Sequence, residues 1–458
     1  MAIFTEQKAK ELLNKVISYS TADECECNLD GSNAGNIRYA RNTVSTAGEV
    51  SDVTLAVQSG FGKRIGVATI NEFDAASLKK VVKRSEELAK LAPENPEYMP
   101  NLGADTYSKV NAWYKSTASV TPDQRAAAAD ASISPSKKNG LIASGFLNDA
   151  ESFSAIMNKK GMFAYHLSSN VDFTATIRTE DGTGSGWVSR DFNDYNKMDT
   201  GAASAVAIKK SMGSVNAKEM EPGKYTVIME PAALDGLLGN MIGSFGQRGA
   251  DEGRSFLSKK PEEGEEPVEG APTNRLGEKM FDESVTIYSD PTHPDCPTAP
   301  FAGNGSAVGK TTWVDKGVVT AMPNSRYWAK KTGVAYVPTA YTGGGLFGGN
   351  QQIIMKGGDQ SLEDLIKGTR RGVLVTRLWY IRPLDPQTLL YTGLTRDGTF
   401  YIEDGEIKYP IKNFRFNESP IVMLNNIEEM GIPQRINGSM IPPLKIRDFT
   451  FSSLSDAV

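Results

Sequence analysis

Histidine and cysteine are both scarce in this chain of 458 residues. Its two histidines are His166 and His293, and its three cysteines are Cys25, Cys27 and Cys296. So few thiols leave no material for a disulfide framework, and this usage fits a reducing compartment best. We therefore expect a cytoplasmic location.

Long apolar runs and an excess of positive charge are missing as well. No apolar run approaches the roughly 18 residues of a membrane-spanning helix. Fifty Lys and Arg against 55 Asp and Glu give a net charge of −5, so neither nucleic acid nor an anionic membrane is indicated as a partner. The first twenty residues, MAIFTEQKAKELLNKVISYS, place lysines among apolar residues at helical spacing, which is not the pattern of a signal peptide.

The patterns that are present predict an α+β fold. Short alternating runs, each bounded by Gly, Asn or Asp, predict antiparallel strands joined by hairpins: ECECNLD, NIRYARNTVST, SDVTLAVQSG and KRIGVATIN. DAASLKKVVKRSEELAKLA and TPDQRAAAADA predict helices, the second with Thr121 as N-cap and Pro122 at its first position. Runs of strands followed by helices favour α+β over a doubly wound sheet.

From Lys224 onwards, most of the predicted elements are strands. YTVIME predicts a strand, and AALDGLLGNMIGSF predicts an apolar helix. Nearly everything that follows has a β-like pattern, including VAYVP and SPIVML, apart from one helix that begins at a capping box of Ser361 and Asp364. The acidic segment 261–270, PEEGEEPVEG, predicts an exposed insertion without an assigned role.

The stretch GNGSAVGKTTW comes close to a phosphate-binding P-loop. That motif requires glycine, four residues and then Gly-Lys-Ser/Thr, but Asn304 stands where the first glycine is needed before Gly309. A P-loop also opens a helix, whereas TTWVDKGVV predicts a hairpin that turns at residues 315–317. The sequence therefore disfavours nucleotide binding.

The scarce histidines and cysteines do not form a convincing site. Structural zinc sites usually combine two closely spaced pairs of ligands, whereas Cys25 and Cys27 alternate within one predicted, half-buried strand. His166 lies in the strand-like FAYHLSS and is expected to be structural, while His293, in a proline-rich turn near Cys296, is expected to be solvated. No G-x-S-x-G accompanies them, so a stand-alone triad hydrolase is disfavoured as well.

A glycine-dense stretch, YTGGGLFGGNQQ, has two interpretations that remain open. Such density provides backbone freedom or allows the close approach of another chain. It predicts either a disordered connector or a mobile loop beside a peptide-binding groove. The glycines concerned are Gly343, Gly344, Gly345, Gly348 and Gly349.

Several stretches resemble, in the same order, the TldD/PmbA family, formerly called modulators of DNA gyrase. In the first half they are ADECECNL, NIRYARN and SGFGKRIGVATIN. In the second half they are GRSFLSKK, RLGEKMFDESVTIYSDPT, GGDQSLEDLIKGTRRGVLVT and YIEDGEIKYPIKNFRFNESPIVMLNNIEEMG. The resemblance extends over nearly the whole chain.

The resemblance also indicates a subtype. TldD-type members carry HExxxH and a cysteine ligand near the C-terminus, whereas TldE-type members lack them and pair with a TldD-type subunit. Aligning YTVIM and RSFL with the family places the motif on LGNMIG, so that Leu238 and Gly243 replace the histidines and Gly239 replaces the glutamate. These residues neither bind zinc nor act as a base. The resemblance thus implies no catalytic residue and no metal in this chain, with the zinc in its partner.

The resemblance implies an N-terminal α+β domain (residues 1–218) and a C-terminal, mostly antiparallel β domain (residues 219–458). It also implies a non-catalytic subunit that forms a heterodimer with an HExxxH subunit and acts on unfolded or leader peptides. One alternative is a homodimeric peptide-binding protein without a peptidase partner. The other is a DNA-linked regulator, although the net charge argues against direct contact with DNA.

Overall fold

The computed structural model describes residues 3–259, 273–340 and 352–455. The acidic segment 261–270 and the glycine-dense loop 343–349 lie outside the described residues, so what the sequence indicates about them stays a prediction.

The first half of the molecule is a six-stranded antiparallel sheet in the order β3-β2-β1-β4-β5-β6. Its strands are β1 (Glu24–Ala40), β2 (Thr43–Phe61), β3 (Arg64–Ile70), β4 (Leu141–Asn158), β5 (Phe163–Thr179) and β6 (Ser185–Phe192). Its helices are α1 (Glu6–Ser18), α2 (Ala75–Leu91), α3 (Lys115–Ala118), α4 (Pro122–Lys138) and α5 (Thr200–Gly213), with a 3₁₀ turn at Tyr195–Lys197.

Alternation along β5 separates a core face from a polar face. Val171, Phe173 and Ile177 are buried in a cluster that includes residues of α4 and α5. Side chains alternate between the two faces of a strand, so the even-numbered row, which includes His166 and Asp172, lies on the opposite face. This polar row forms one wall of the site described below.

The strand boundaries in this sheet differ from the prediction. NIRYARNTVST is not one strand, because the chain turns inside it at Arg41 and Asn42, where φ is 50° and 62°. Conversely, the Gly- and Asn-rich residues 31–36 do not end a strand, since β2 and β4 both pair with β1 throughout this stretch. Hydrogen bonding on both sides keeps β1 extended despite its glycines.

The second half contains two further sheets. A nine-stranded sheet has the order β13-β14-β17-β21-β7-β12-β15-β16, with β18 also pairing with β21, and a six-stranded sheet has the order β10-β9-β8-β11-β20-β19. The strands are β7 (Gly223–Met229), β8 (Ile287–Ser289), β9 (Thr311–Asp315), β10 (Val318–Val319), β11 (Ile354–Met355), β12 (Arg371–Val375), β13 (Leu378–Asp385), β14 (Leu390–Thr395), β15 (Thr399–Glu403), β16 (Glu406–Pro410), β17 (Asn413–Glu418), β18 (Ile427–Met430), β19 (Gln434–Ile436), β20 (Ser439–Ile441) and β21 (Leu444–Ser455). The helices are α6 (Pro231–Gly243), α7 (Gln247–Asp251), α8 (Arg326–Thr332), α9 (Leu362–Lys367) and α10 (Pro420–Asn425).

The predicted α+β class is confirmed, and so are several local features. Lys316 and Gly317 form the turn between β9 and β10, with φ of 47° and 79°. Ser361 and Asp364 form a capping box at the start of α9, and Thr121 caps α4. The sheets lie on either side of the predicted boundary at residues 218 and 219, which itself stays a prediction.

Two predictions for the second half are wrong, and one helix was missed. VAYVP forms no regular strand, and SPIVML is helix α10, because Ser419 caps it and Pro420 suits its first turn. Helix α8 was not predicted at all, although Ser325 caps its start and Gly333 ends it in the left-handed region. Short apolar runs are ambiguous between helix and strand, which explains the error at SPIVML.

Within the described residues, no helix combines the length and the apolar character needed to cross a membrane.

Candidate functional site

Helix α6 carries the positions where the resemblance locates a zinc motif. Leu238 is fully buried, which confirms the prediction made for this apolar helix. Gly239 is half-buried and Gly243 is exposed. The core around the helix includes further residues of the same segment that are at most 2% exposed: Leu234, Leu237, Met241, Ile242 and Phe245.

A zinc ion does not fit these positions. Zinc in proteins is held by thiolate, imidazole or carboxylate groups, whereas Leu238 has a hydrocarbon side chain, and Gly239 and Gly243 have none. Across residues 3–259, 273–340 and 352–455, no three His, Cys, Asp or Glu side chains are grouped so that they could hold a metal ion. Helix α6 therefore contributes to packing.

The cysteines that sequence reasoning considered are buried. Cys25 and Cys27 lie in the core of the first sheet, but the strand is not half-buried there as predicted, since Glu26 between them is only 9% exposed. Sγ of Cys296 lies 3.4 Å from Nδ1 of His293, whose side chain is partly exposed. Burial raises the pKa of Cys296 to about 12, so its thiol is protonated at neutral pH.

A polar cleft of about 600 Å³ lies between the first sheet and segments of the second half. One wall consists of residues of β4, β5 and β6, together with Asn193 just after β6. The strand residues are Ser152, Ser154, His166, Ser168, Ser169, Asn170, Asp172 and Asp191. The facing wall consists of residues near Cys296 and around β19: Pro297, Thr298, Ala299, Gln352, Arg435, Asn437 and Gly438.

A buried ion pair connects the two walls. Nε of Arg435 donates to Oδ2 of Asp191 at 2.8 Å, and the two side chains are 10% and 3% exposed. The backbone N–H of Gly438 donates to the same oxygen at 2.9 Å. A guanidine nitrogen of Arg435 also donates to Oδ1 of Asn193 at 2.7 Å. These contacts bring β19 of one sheet against β6 of the other.

Two carboxylates lie side by side on the sheet wall. Asp172 of β5 pairs directly with Asp191 of β6 in the antiparallel ladder, and both line the cleft. Like charges on directly paired residues of a sheet repel each other. The pKa of Asp172 is raised to about 6, mainly by burial and also by the charge of Asp191, while Arg435 and a hydrogen bond from Asn170 act in the opposite direction.

His166 adds no positive charge to this wall at neutral pH. It pairs with Ser154 across the β4–β5 ladder, and burial lowers its pKa to about 4. A neutral imidazole can still donate one hydrogen bond and accept another.

The first turns of α6 contact the wall of the cleft. Nδ2 of Asn437 donates to Oδ2 of Asp235 at 2.7 Å, and Asp235 lies one helical turn before Leu238 and Gly239. Burial raises the pKa of Asp235, the hydrogen bond from Asn437 lowers it, and Asp191 raises it. The helix expected to carry the motif thus approaches the cleft with a carboxyl group.

Sequence reasoning singled out only His166 among the residues of this cleft. Asp172, Asp191 and Arg435 belong to three different strands, and their assembly depends on the tertiary structure. One signal was available in HLSSNVD, where polar residues occupy every second position of a strand. Such a row predicts a polar face but does not indicate what lies opposite.

We expect Leu238→Ala to lower the free energy of unfolding by about 2–5 kcal/mol, because it leaves a cavity in the largest core. Asn240→Ala, an exposed position on the same helix, is the control and should change it by less than about 0.5 kcal/mol. Chemical denaturation measures both. Equal stability of the two variants would contradict the burial of Leu238.

We expect Asp172→Asn to stabilise the protein near pH 8 by about 1–3 kcal/mol, with little effect near pH 4. The raised pKa of Asp172 means that the folded wild-type protein loses stability as pH rises from about 4 to above 6. The asparagine side chain does not ionise, so the variant does not lose this stability. Asp404→Asn, in an exposed turn, is the control in the same denaturation experiments, and a pH-independent effect of Asp172→Asn would contradict the assignment.

Comparison with known proteins agrees with this architecture. A family model described as the PmbA/TldA metallopeptidase C-terminal domain matches residues 222–453. A protein named Metalloprotease from Methanothermobacter thermautotrophicus is 25% identical over 305 residues, which is 63% of this chain and 62% of that relative. Metalloprotease PmbA from Escherichia coli O157:H7 is 20% identical over 466 residues, which is 95% of this chain and 97% of that relative.

Solved structures show the same fold. TldE from Thermococcus kodakarensis superposes with a TM-score of 0.83 at 19% identity, covering 97% of this chain and 99% of that one. A candidate modulator of a DNA gyrase from Thermotoga maritima has a TM-score of 0.83 at 16% identity, covering 97% and 100%. Because the family model spans just over half of the sequence, the chain belongs to the PmbA/TldD metallopeptidase family.

Proposed function

We propose that this chain is a non-catalytic, TldE/PmbA-like subunit of a cytoplasmic zinc metallopeptidase. Its partner is a TldD-like subunit that carries HExxxH and the zinc, and the substrate is an unfolded or leader peptide. The observation that carries the proposal is that the chain belongs to a metallopeptidase family but lacks the zinc ligands of HExxxH and the C-terminal cysteine. The sequence has only His166 and His293, too far apart for HExxxH, and no cysteine among residues 297–458.

The chemistry of peptide hydrolysis supports this assignment. A metallopeptidase uses the metal to polarise the carbonyl and to lower the pKa of bound water, and it uses a positioned base to take the proton. Leu238, Gly239 and Gly243 supply none of these groups. The partner therefore has to provide both metal and base.

The polar cleft supports a role in holding a peptide. Hydroxyl and amide groups line it on both sides, and carboxylates lie on the sheet wall. An extended peptide offers N–H and C=O groups that can pair with them. Recognition of main-chain groups makes little demand on sequence, which suits a subunit that admits unfolded segments.

Edge strand β13 supports association with another subunit. It lies at one end of the nine-stranded sheet and exposes Trp379, Tyr380 and Leu384, at 42%, 58% and 54%. Arg377 lies between the rings of Trp187 and Trp379, with its guanidinium carbon 4.1 and 4.7 Å from their centroids. Exposed aromatic residues and arginine on an edge strand are typical of protein interfaces.

A reconstitution experiment tests the proposed function. Alone, the chain should bind no stoichiometric zinc and cleave no peptide, even with added zinc. Mixed with an HExxxH relative from the same organism, it should give zinc-dependent cleavage of unstructured peptides that neither chain shows alone. Elemental analysis and a fluorogenic peptide assay measure these outcomes.

Two results would contradict the proposal. Cleavage by the purified single chain that persists with chelator and in a contaminant control would indicate a different catalytic site. Peptide binding by a homodimer, with no effect on the activity of the HExxxH relative, would favour the self-associating alternative.

The β13 surface gives a separate prediction. Leu384→Asp should weaken association with the HExxxH relative at least ten-fold, because it places a charge within the proposed apolar contact. Ile407→Asp is the matched control, since Ile407 is 46% exposed on β16 at the opposite edge of the same sheet. Sedimentation or surface plasmon resonance compares the two. Equal affinities would remove β13 from the interface.

A further inference from the structure

Two polar atoms in the cleft have no hydrogen-bond partner among the described residues. They are Oδ1 of Asp191 and Oγ1 of Thr298, on opposite walls. Asp191 is 3% exposed, and Arg435 and Gly438 both donate to its other oxygen, Oδ2. Buried polar atoms are rarely left unpaired in folded proteins. A ligand that donates a hydrogen bond would satisfy the carboxylate oxygen.

The charge of the cleft indicates the sign of that ligand. Asp172 and Asp191 face the cleft side by side, and among the described residues that line it Arg435 is the only Lys or Arg. Arg435 already binds Asp191. With His166 neutral, ionised Asp172 leaves the lining one negative charge in excess. An anionic ligand is therefore disfavoured.

The oxygen atoms available in the cleft distinguish between kinds of cation. Calcium and magnesium ions prefer about six or more oxygen ligands, and within the described ranges no three acidic, Cys or His side chains are grouped for a metal ion. A primary ammonium is a compact charge with three donors. It suits two adjacent carboxylates in a cleft whose other lining groups are mainly hydroxyls and amides.

We propose that this cleft binds a primary ammonium group of a peptide, with Asp191 and Asp172 as its acceptors. Both the free amino terminus and a lysine side chain present this chemistry. The inference rests on the proposed function in one respect, that the cleft holds peptide. It adds the chemical group that anchors the peptide there, next to α6.

Calorimetric titration tests this inference. The 458-residue chain is titrated with three forms of one unstructured ten-residue peptide of Gly, Ser, Ala and Gln. The forms have a free amino terminus, an acetylated terminus, or an acetylated terminus and one internal lysine. We expect the free form to bind roughly ten-fold or more tightly than the acetylated form, because a charged hydrogen bond is lost on acetylation.

The lysine-containing form identifies the source of the ammonium group. Affinity equal to that of the free form would show that the cleft accepts a side-chain ammonium. Affinity equal to that of the acetylated form would show that it requires the amino terminus. Both outcomes support recognition of an ammonium group. Equal affinities for all three forms, or no binding by any, would overturn it.

Variants test whether the two carboxylates cause the preference for the peptide with a free amino terminus. Asp191→Asn and Asp172→Asn should each reduce the preference for the free form to about three-fold or less. Asp404→Asn, which makes the same chemical change in the β15–β16 turn, should leave it unchanged. Because Asp191→Asn leaves Arg435 without its charged partner and can unfold the protein, Asp172→Asn provides the independent test. Wild-type discrimination by a folded Asp172→Asn would overturn the assignment of Asp172.

The two proposals fail in different ways. Zinc-dependent cleavage by the mixture, without preference for the free form, would remove the ammonium site and leave the subunit assignment intact. Preference for the free form, without cleavage by any mixture, would remove the subunit assignment and leave the site.

Discussion

The ion pair between Arg435 and Asp191 holds the two halves of the molecule in register around the cleft. Both side chains are almost completely buried, so each has lost most of its hydration. A buried pair of this kind contributes little net stability, but losing one partner costs about 3–5 kcal/mol, because the other charge remains buried without compensation. The relative position of β6 and β19 is therefore strongly constrained by electrostatics.

The rest of the cleft is not optimised for folding. Asp172 lies directly opposite Asp191, and two buried polar atoms remain without partners among the described residues. An apolar pair at these positions would avoid both the repulsion and the desolvation. Groups with strongly shifted pKa values that share a cleft are typical of functional sites. This cleft, and not helix α6, therefore has the character of a binding site.

Helix α6 illustrates how one element can belong to the core and still approach the site. Its apolar residues surround Leu238 in the largest cluster of the protein. Its first turns present Asp235 to Asn437, next to the cleft. Under the proposed function, this helix supports the peptide-binding wall mechanically, while the catalytic groups belong to another subunit.

The sequence alone allowed us to predict features that depend on neighbouring residues. Periodicity predicted the α+β class and the apolar helix around Leu238, and cap or turn residues predicted the starts of α4 and α9 and the β9–β10 turn. The positions of the two histidines excluded HExxxH from this sequence, since the motif requires two closely spaced histidines. Local patterns failed where an apolar run was short, as in α10.

Only the tertiary structure decided where the site lies. Asp172, Asp191 and Arg435 are polar residues of three strands, and nothing in their own segments distinguishes them from solvated positions. Their proximity follows from the register of β5 with β6 and from the packing of β19 against β6. Strand alternation determines which residues share a face, but long-range packing determines what that face meets, and this is where the charges acquire their chemistry.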